Sequence, residues 1–226
     1  MKLNDHYNRL WFRSVEKFES DEFEPDTKIN DPNDDRYGLT LLIRPSLKIR
    51  KKITDVLQKL RPYAPDQYYY PVSDMHITVL SIISCQPGFE LDQINIEEYL
   101  SVIRSAVGKC APFKIEIKGI SASPSAIMIC GYPEEDALNT FREHIRHGFK
   151  NSSLYHTIDK RYALKTAHIT VFRFRETLSK PQLFTGALKE IKETSFGTDT
   201  VRELELVGND WYQRKRNVKL IKTFRI

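Results

Sequence analysis

Apolar residues recur along this chain in two rhythms, one helical and one extended. Near the start, Tyr7, Leu10, Trp11, Val15 and Phe18 follow each other at three- and four-residue steps, the spacing of one helix face, with Asn4 or Asp5 placed to cap it. From residue 20 to 35 the rhythm stops, and acids, Pro25, Pro32 and the run Asn33-Asp34-Asp35 read as a loop. Residues 1–35 are therefore expected to be a helix and acidic extension, with a compact domain over 36–226. Residues 37–44 read as a strand closed by Pro45, and Ser46 opens a helix to about residue 60 whose inner face is Ile49, Ile53, Val56, Leu57 and Leu60. A proline and tyrosine linker over 62–71 leads to a strand at 75–84. A helix at 94–107, short strands at 113–117 and 126–130 and a helix at 134–149 follow. A strand at 167–174, a helix from Pro181 to about 191 and strands at 201–207 and 218–224 complete the series. A turn around Gly208-Asn209-Asp210 is expected to join the last two.

Strands and helices alternate, but not as uniform parallel units. Two blocks share an order of strand, helix and then a strand beginning His-Ile-Thr-Val, at His76 and again at His168, 92 positions on. That weak repeat predicts an α+β fold of two lobes related by an approximate two-fold axis.

The repeated tetrapeptide also carries the candidate chemistry. Side chains alternate faces along a strand, so His76 and Thr78 share one face, about 6 to 7 Å apart by strand rise, while Ile77 and Val79 face the other way. His168 and Thr170 stand in the same relation to Ile169 and Val171. If the two strands are neighbours, two imidazoles and two hydroxyls line one groove. One neutral imidazole then takes a proton from the attacking oxygen and a protonated one gives a proton to the leaving oxygen. The hydroxyls stabilise charge on the non-bridging phosphate oxygens. Opposed histidines suit in-line displacement at phosphorus without a metal. The bland alternative is an ordinary strand with a solvated polar face.

These two motifs, their separation and the bilobal order resemble the two-histidine phosphoesterase superfamily, which includes the 2′-5′ RNA ligase-like proteins and cyclic phosphodiesterases. The resemblance covers about residues 36–226 and leaves 1–35 without a counterpart. It implies two ferredoxin-like lobes around a central cleft, catalytic His76 and His168, and phosphate-binding Thr78 and Thr170. In relatives that open a 2′,3′-cyclic phosphate, the second histidine activates water and the first protonates the departing 3′ oxygen. The resemblance assigns those roles to His168 and His76. The implied partner is an RNA end, a cyclic nucleotide or another small phosphodiester, with hydrolysis or the reverse ligation as the reaction.

Further residues stand near the motifs. Tyr68, Tyr69 and Tyr70 precede the first motif strand and either stack on a base or seal a core edge. Arg161, Tyr162 and Lys165 precede the second and either grip substrate or form a solvated basic turn. Trp211 and Tyr212 read equally as a nucleotide platform or as packing anchors. His144 and His147 lack the order and the third ligand of a zinc site, so no metal is expected. No glycine-rich phosphate loop, dinucleotide loop or serine nucleophile elbow is present, and no cofactor is expected.

Composition narrows the class without naming a function. At 226 residues, 40% hydrophobic and 29% charged, the chain has a globular profile. Its apolar runs are too short for a membrane span, and a polar start after Met1 lacks the form of a secretory signal, so a cytoplasmic, membrane-free protein is expected. Three cysteines without paired spacing read as free thiols. The net charge of +5 favours an anionic partner only mildly. Two readings of a different class stay open: a protein that holds RNA ends or nucleotides without turnover, and an interaction module that docks through the helix at Tyr7 to Phe18.

Overall fold

The two His-Ile-Thr-Val segments open strands in two different sheets. The computed structural model describes residues 2–160 and 162–226. The first sheet holds β1 (Tyr37–Ile43), β3 (Ile77–Gln86), β8 (Glu203–Asp210) and β9 (Lys219–Arg225) in the order β3-β1-β8-β9. The second holds β2 (Tyr68–Tyr69), β4 (Phe113–Ser123), β5 (Ala126–Pro133), β6 (Ile169–Arg173) and β7 (Ser195–Val201) in the order β2-β6-β5-β4-β7. All the pairings between these strands are antiparallel. Apart from the two-residue β2, one order maps onto the other with β3 matched to β6 and β1 to β5, so the fold is bilobal α+β, as the repeat predicts.

The helices are α1 (Leu3–Glu19), α2 (Leu47–Leu57), α3 (Ile96–Val107), α4 (Ala137–Lys150) and α5 (Pro181–Glu190). Their placement ties the lobes together. Helix α2 leaves the first sheet through β1 but lies against β7 of the second, and α4 leaves the second through β5 but lies against β3 of the first. Each repeat thus lends its helix to the other's sheet, and the two cores join in one cluster running from Leu39 and Ile53 to Phe172 and Phe184.

Helix α1 is built into the same body. It packs on β4 and α5. Trp11, Val15 and Phe18 belong to the common core, and the Tyr7 hydroxyl accepts from the Ala167 amide at 3.0 Å and donates to the Gly131 carbonyl at 3.3 Å. The apolar face that would serve an interaction module is therefore covered from within. Among the described residues, no helix is long and apolar enough to cross a membrane.

Several strands differ from the expected ones. Residues 201–207, read as one strand, belong to two, because the chain passes from one sheet to the other at Arg202. Strand β7 has only Phe196 and Val201 buried among polar neighbours, a pattern that hides an edge strand from hydrophobicity. Gly208, Asn209 and Asp210 do not turn; they pair with Leu39, Gly38 and Tyr37, and the turn follows them. Gly38 and Gly131 sit where a Cβ would fall 2.4 Å from the Ile83 carbonyl oxygen and 2.1 Å from that of Ala167, so any larger residue would push a motif-bearing segment away.

Candidate active site

The motif strands keep the predicted alternation only as far as their threonines. In β3, Thr78 pairs with Leu42 but Leu80 pairs with Leu41, so Val79 is an extra residue. In β6, Thr170 pairs with Met128 but Phe172 pairs with Ile127, so Val171 is extra in the same way. A bulge of this kind reverses the phase of the faces beyond it. The consequence is one burial sequence in both strands: Ile77, Val79 and Leu80 are buried with Thr78 and Ser81 half-open, and Ile169, Val171 and Phe172 are buried with Thr170 and Arg173 half-open. Arg173 therefore emerges beside Thr170 instead of behind it. Strict alternation from Thr170 places Phe172 in the groove and Arg173 behind it, which is why the sequence reading missed this residue.

His76, Thr78, Ser81, His168, Thr170 and Arg173 all line a single cavity between the lobes. The imidazoles are oriented by matched but chemically different neighbours two residues upstream. His76 Nδ1 donates to the Asp74 carbonyl at 2.8 Å, and because a carbonyl only accepts, the proton of neutral His76 sits on Nδ1 and Nε2 is left as an acceptor. His168 Nδ1 lies 2.7 Å from the Thr166 hydroxyl, which can donate or accept.

The walls hold both imidazoles neutral. Burial pushes His76 down to about 3, against the Asp74 hydrogen bond that favours its charge, and the positive charges of Arg44 and Arg173 and the neighbouring His168 push it the same way. Burial likewise lowers His168 to about 4, helped by Arg142, Arg173 and His6. A bound phosphate anion would oppose these cations and raise both values toward neutrality.

Two arginines organise the cavity. Arg173 Nε donates to the Tyr70 hydroxyl at 2.9 Å and Nη1 to Asp26 at 3.2 Å, so Asp26, from the acidic segment before β1, holds the guanidinium in place. Arg142, on α4, is fully buried and held by neutral acceptors. Its Nε donates to the Val79 carbonyl at 2.7 Å and its Nη2 to the carbonyls of Thr78 at 2.9 Å and Thr166 at 2.7 Å, while Nη1 reaches Asn139 at 3.1 Å. One side chain thus fastens the first motif strand to the residue that orients His168. Burial lowers Arg142 to about 10, so it stays charged near neutrality.

The remaining sequence candidates divide. Tyr70, Tyr162 and Trp211 line the cavity with the motif residues. Tyr68 and Tyr69 form the short edge strand β2 outside it, Tyr69 packing edge-on against Phe172 with ring centres 5.0 Å apart. Tyr212 is buried behind the wall, its hydroxyl donating to Asp26 at 2.8 Å. Lys165 lines an adjoining groove with His6 and Arg146. Arg161 lies outside the described residues. Among the described residues, no group of three metal-ligating side chains converges.

Comparison with known proteins gives the architecture its place. No protein-family model matches the chain, and no curated protein matches it. Solved structures do: the chain has the two-lobed fold seen in LigT-type structures. The crystal structure of TT0787 of Thermus thermophilus superposes with a TM-score of 0.62 at 17% identity, covering 83% of this chain and 97% of that one. E. coli LigT complexed with 3′-AMP gives 0.59 at 14% identity, covering 84% and 98%. ATU0111 from Agrobacterium tumefaciens str. C58, a conserved protein of unknown function, gives 0.54 at 13%, covering 92% and 97%. At these identities the likeness establishes the fold.

Proposed function

We propose that this protein is a phosphodiesterase that opens a 2′,3′-cyclic phosphate, a 2′-5′ linkage or a related small phosphodiester of RNA or a nucleotide, using His76 and His168 as its acid and base and needing no metal. The observation that carries this reading is the pair of His-x-Thr strands with matched bulges, which bring two imidazoles, two hydroxyls and Arg173 to one cavity. Such a set performs in-line displacement: one imidazole draws a proton from water as it attacks phosphorus, and the other protonates the departing ribose oxygen. Thr78, Thr170 and Arg173 meet the charge that builds on the non-bridging oxygens.

The family resemblance is what assigns His76 the role of acid; burial outweighs the Asp74 hydrogen bond that favours its imidazolium and leaves it lower than His168, so the polarity rests on that resemblance. His168, oriented by a hydroxyl, is then the base toward water. Run backwards, the same pair would join a 2′ or 3′ oxygen to phosphorus. The LigT structures bear 3′-AMP, ATP and NADP+, which supports a nucleotide as the ligand class here.

Purified protein in chelator is expected to turn over at least one member of a panel of 2′,3′-cyclic nucleotides and 2′-5′-linked dinucleotides. His76→Ala and His168→Ala should each lose about 10² to 10⁴ in rate. Full activity in both variants would sink the reading, and nucleotide binding without any turnover would leave a nucleotide-holding protein in its place. Analysis of which ribose oxygen keeps the phosphate checks the polarity, a 2′-phosphate product being expected.

A further inference from the structure

The net charge of this chain is concentrated in one segment. Residues 44–61 carry seven basic residues and one acid, a formal charge of +6, against +5 for all 226 residues. The basic excess therefore belongs to helix α2 and its flanks. Packing sorts the side chains there by face. Ile49, Ile53 and Leu57 turn inward, while Lys48, Lys51 and Lys52 on α2, and Lys59 in the 3₁₀ turn Gln58–Leu60 that continues it, are exposed. At the helical rise the four lysines span roughly 16 Å of surface.

This row of cations works against the helix that carries it. None of the four lysines forms an ion pair among the described residues. Lys48 stands three positions before Lys51 and four before Lys52, so the three are neighbours of like charge on one helix surface. Lys48 also sits in the first turn, at the positive end of the helix dipole, where acids are favoured. Helix α3 follows the ordinary rule, with Glu97 and Glu98 in its first turn. A basic face kept at such a cost, without acids of its own, marks a surface whose counter-charge comes from outside the chain.

The position of the face joins it to the cavity. Arg50, in the first half of α2, donates Nε to the Pro45 carbonyl and Nη1 to the Val72 carbonyl, both at 2.7 Å. Arg44, just ahead of the helix, donates to the carbonyls of Ser73 and Asp74, both at 3.4 Å. The Asp74 carbonyl is the one that orients His76. The basic face thus begins beside the segment that delivers His76 to the cavity and extends the length of α2.

We propose that the exposed face of α2 and the turn after it binds the phosphate backbone of a single-stranded RNA whose end occupies the cavity. The substrate is then an oligonucleotide end in preference to a free cyclic nucleotide, an inference that rests on the phosphodiesterase reading given above. Lysines suit this partner. Each ammonium is a point charge on a flexible stem that meets a phosphate oxygen without reading the base, so the face adds affinity and no sequence preference.

The test compares equilibrium binding of a short single-stranded RNA ending in a 3′-phosphate with that of adenosine 3′-phosphate, alongside turnover of the two corresponding 2′,3′-cyclic phosphates. Wild type is expected to hold the RNA about ten-fold or more tightly at about 50 mM salt and to lose that advantage by about 200 mM, because four phosphate contacts give a logarithmic salt slope of about −3. The quadruple variant Lys48→Gln, Lys51→Gln, Lys52→Gln, Lys59→Gln should remove the advantage and turn over adenosine 2′,3′-cyclic phosphate as wild type does. The control Lys109→Gln, Lys114→Gln, Lys150→Gln, Lys180→Gln takes the same charge from exposed lysines elsewhere and should keep the advantage. RNA bound no more tightly than adenosine 3′-phosphate, or weakened equally by the two quadruple variants, would overturn the inference, and turnover of the cyclic nucleotide would then leave the catalytic reading standing. Binding of phosphatidylserine vesicles through the α2 lysines without an RNA advantage would also overturn it, making the face a membrane-surface contact. An RNA advantage that depends on the α2 lysines, with no turnover of either cyclic phosphate, would uphold the inference while removing the catalytic reading.

Discussion

Arg173 occupies in the second lobe the strand position that Ser81 occupies in the first. Each lies three residues past its motif threonine, beyond a one-residue bulge, and they pair with Ala126 and Thr40 respectively. The two halves of the site are thus alike in backbone and unlike in charge. A phosphate held as proposed would meet a guanidinium from one side and a hydroxyl from the other. Arg173→Met is expected to lower kcat/KM on a cyclic phosphate by about 10² or more, the scale of losing a charge-stabilising donor, while Ser81→Ala should cost less than ten-fold. Steady-state kinetics on the two variants compares them directly, and equal losses would mean that the asymmetry has no chemical consequence.

Arg142 spans the two motifs from behind. Removing it in Arg142→Met leaves the carbonyls of Thr78, Val79 and Thr166 without their donor. Each unmet buried acceptor costs about 1 to 3 kcal/mol, so a loss of about 3 kcal/mol or more in urea unfolding is expected. His168 should also become easier to protonate, because the Arg142 charge is one of the causes that lower it. An NMR titration of the His168 ring in Arg142→Lys and Arg142→Met separates the two effects. A lysine keeps the charge with fewer donors, and only the methionine variant should raise the midpoint clearly.

Acid should weaken the fold through the two site histidines. Both are held below the ordinary value of 6.5, at about 3 and about 4, so between pH 6.5 and 4 the unfolded chain binds protons that the folded one refuses. Their contribution is whole above pH 6.5 and is lost as pH falls, down to about 4 for His168 and about 3 for His76. Urea midpoints measured from pH 7 to 4.5 should fall, and should fall less steeply in the double variant His76→Gln, His168→Gln. Parallel slopes would show that the imidazoles are not kept neutral.

Tyr7 couples the first helix to the second motif. Tyr7→Phe leaves the Ala167 amide, one residue before His168, and the Gly131 carbonyl without their shared partner. A stability loss of about 1 to 3 kcal/mol is expected, measurable by thermal or urea unfolding. A variant as stable as wild type would show that the hydroxyl is replaceable by water.

Phosphate should bind with proton uptake. An anion beside Arg173 opposes the cations that depress His76 and His168, so both imidazoles gain proton affinity in the complex. Affinity for inorganic phosphate is therefore expected to rise as pH falls from 8 toward 6, by more than the titration of phosphate itself accounts for. Calorimetry in buffers of different ionisation enthalpy reads the proton count, and zero uptake in wild type would contradict the account.

What the sequence by itself determined was local and periodic. The helix of Tyr7 to Phe18, the strand ahead of each motif and the faces shared by His76 with Thr78 and by His168 with Thr170 all follow from spacings of 3.6 and 2, which short-range sterics impose. The doubled tetrapeptide further specified two lobes and the pair of imidazoles. Tertiary structure alone decided what depends on pairing between distant segments. Arg173 reaches the cavity because β6 bulges against β5, Asp26 pairs with Arg173 from a segment 147 residues away, and α2 and α4 pack against β7 and β3 of the opposite sheets. Gly208 to Asp210 became strand for the same reason: β1 offered them partners, and backbone hydrogen bonding to a neighbouring strand outweighs the turn propensity of glycine, asparagine and aspartate.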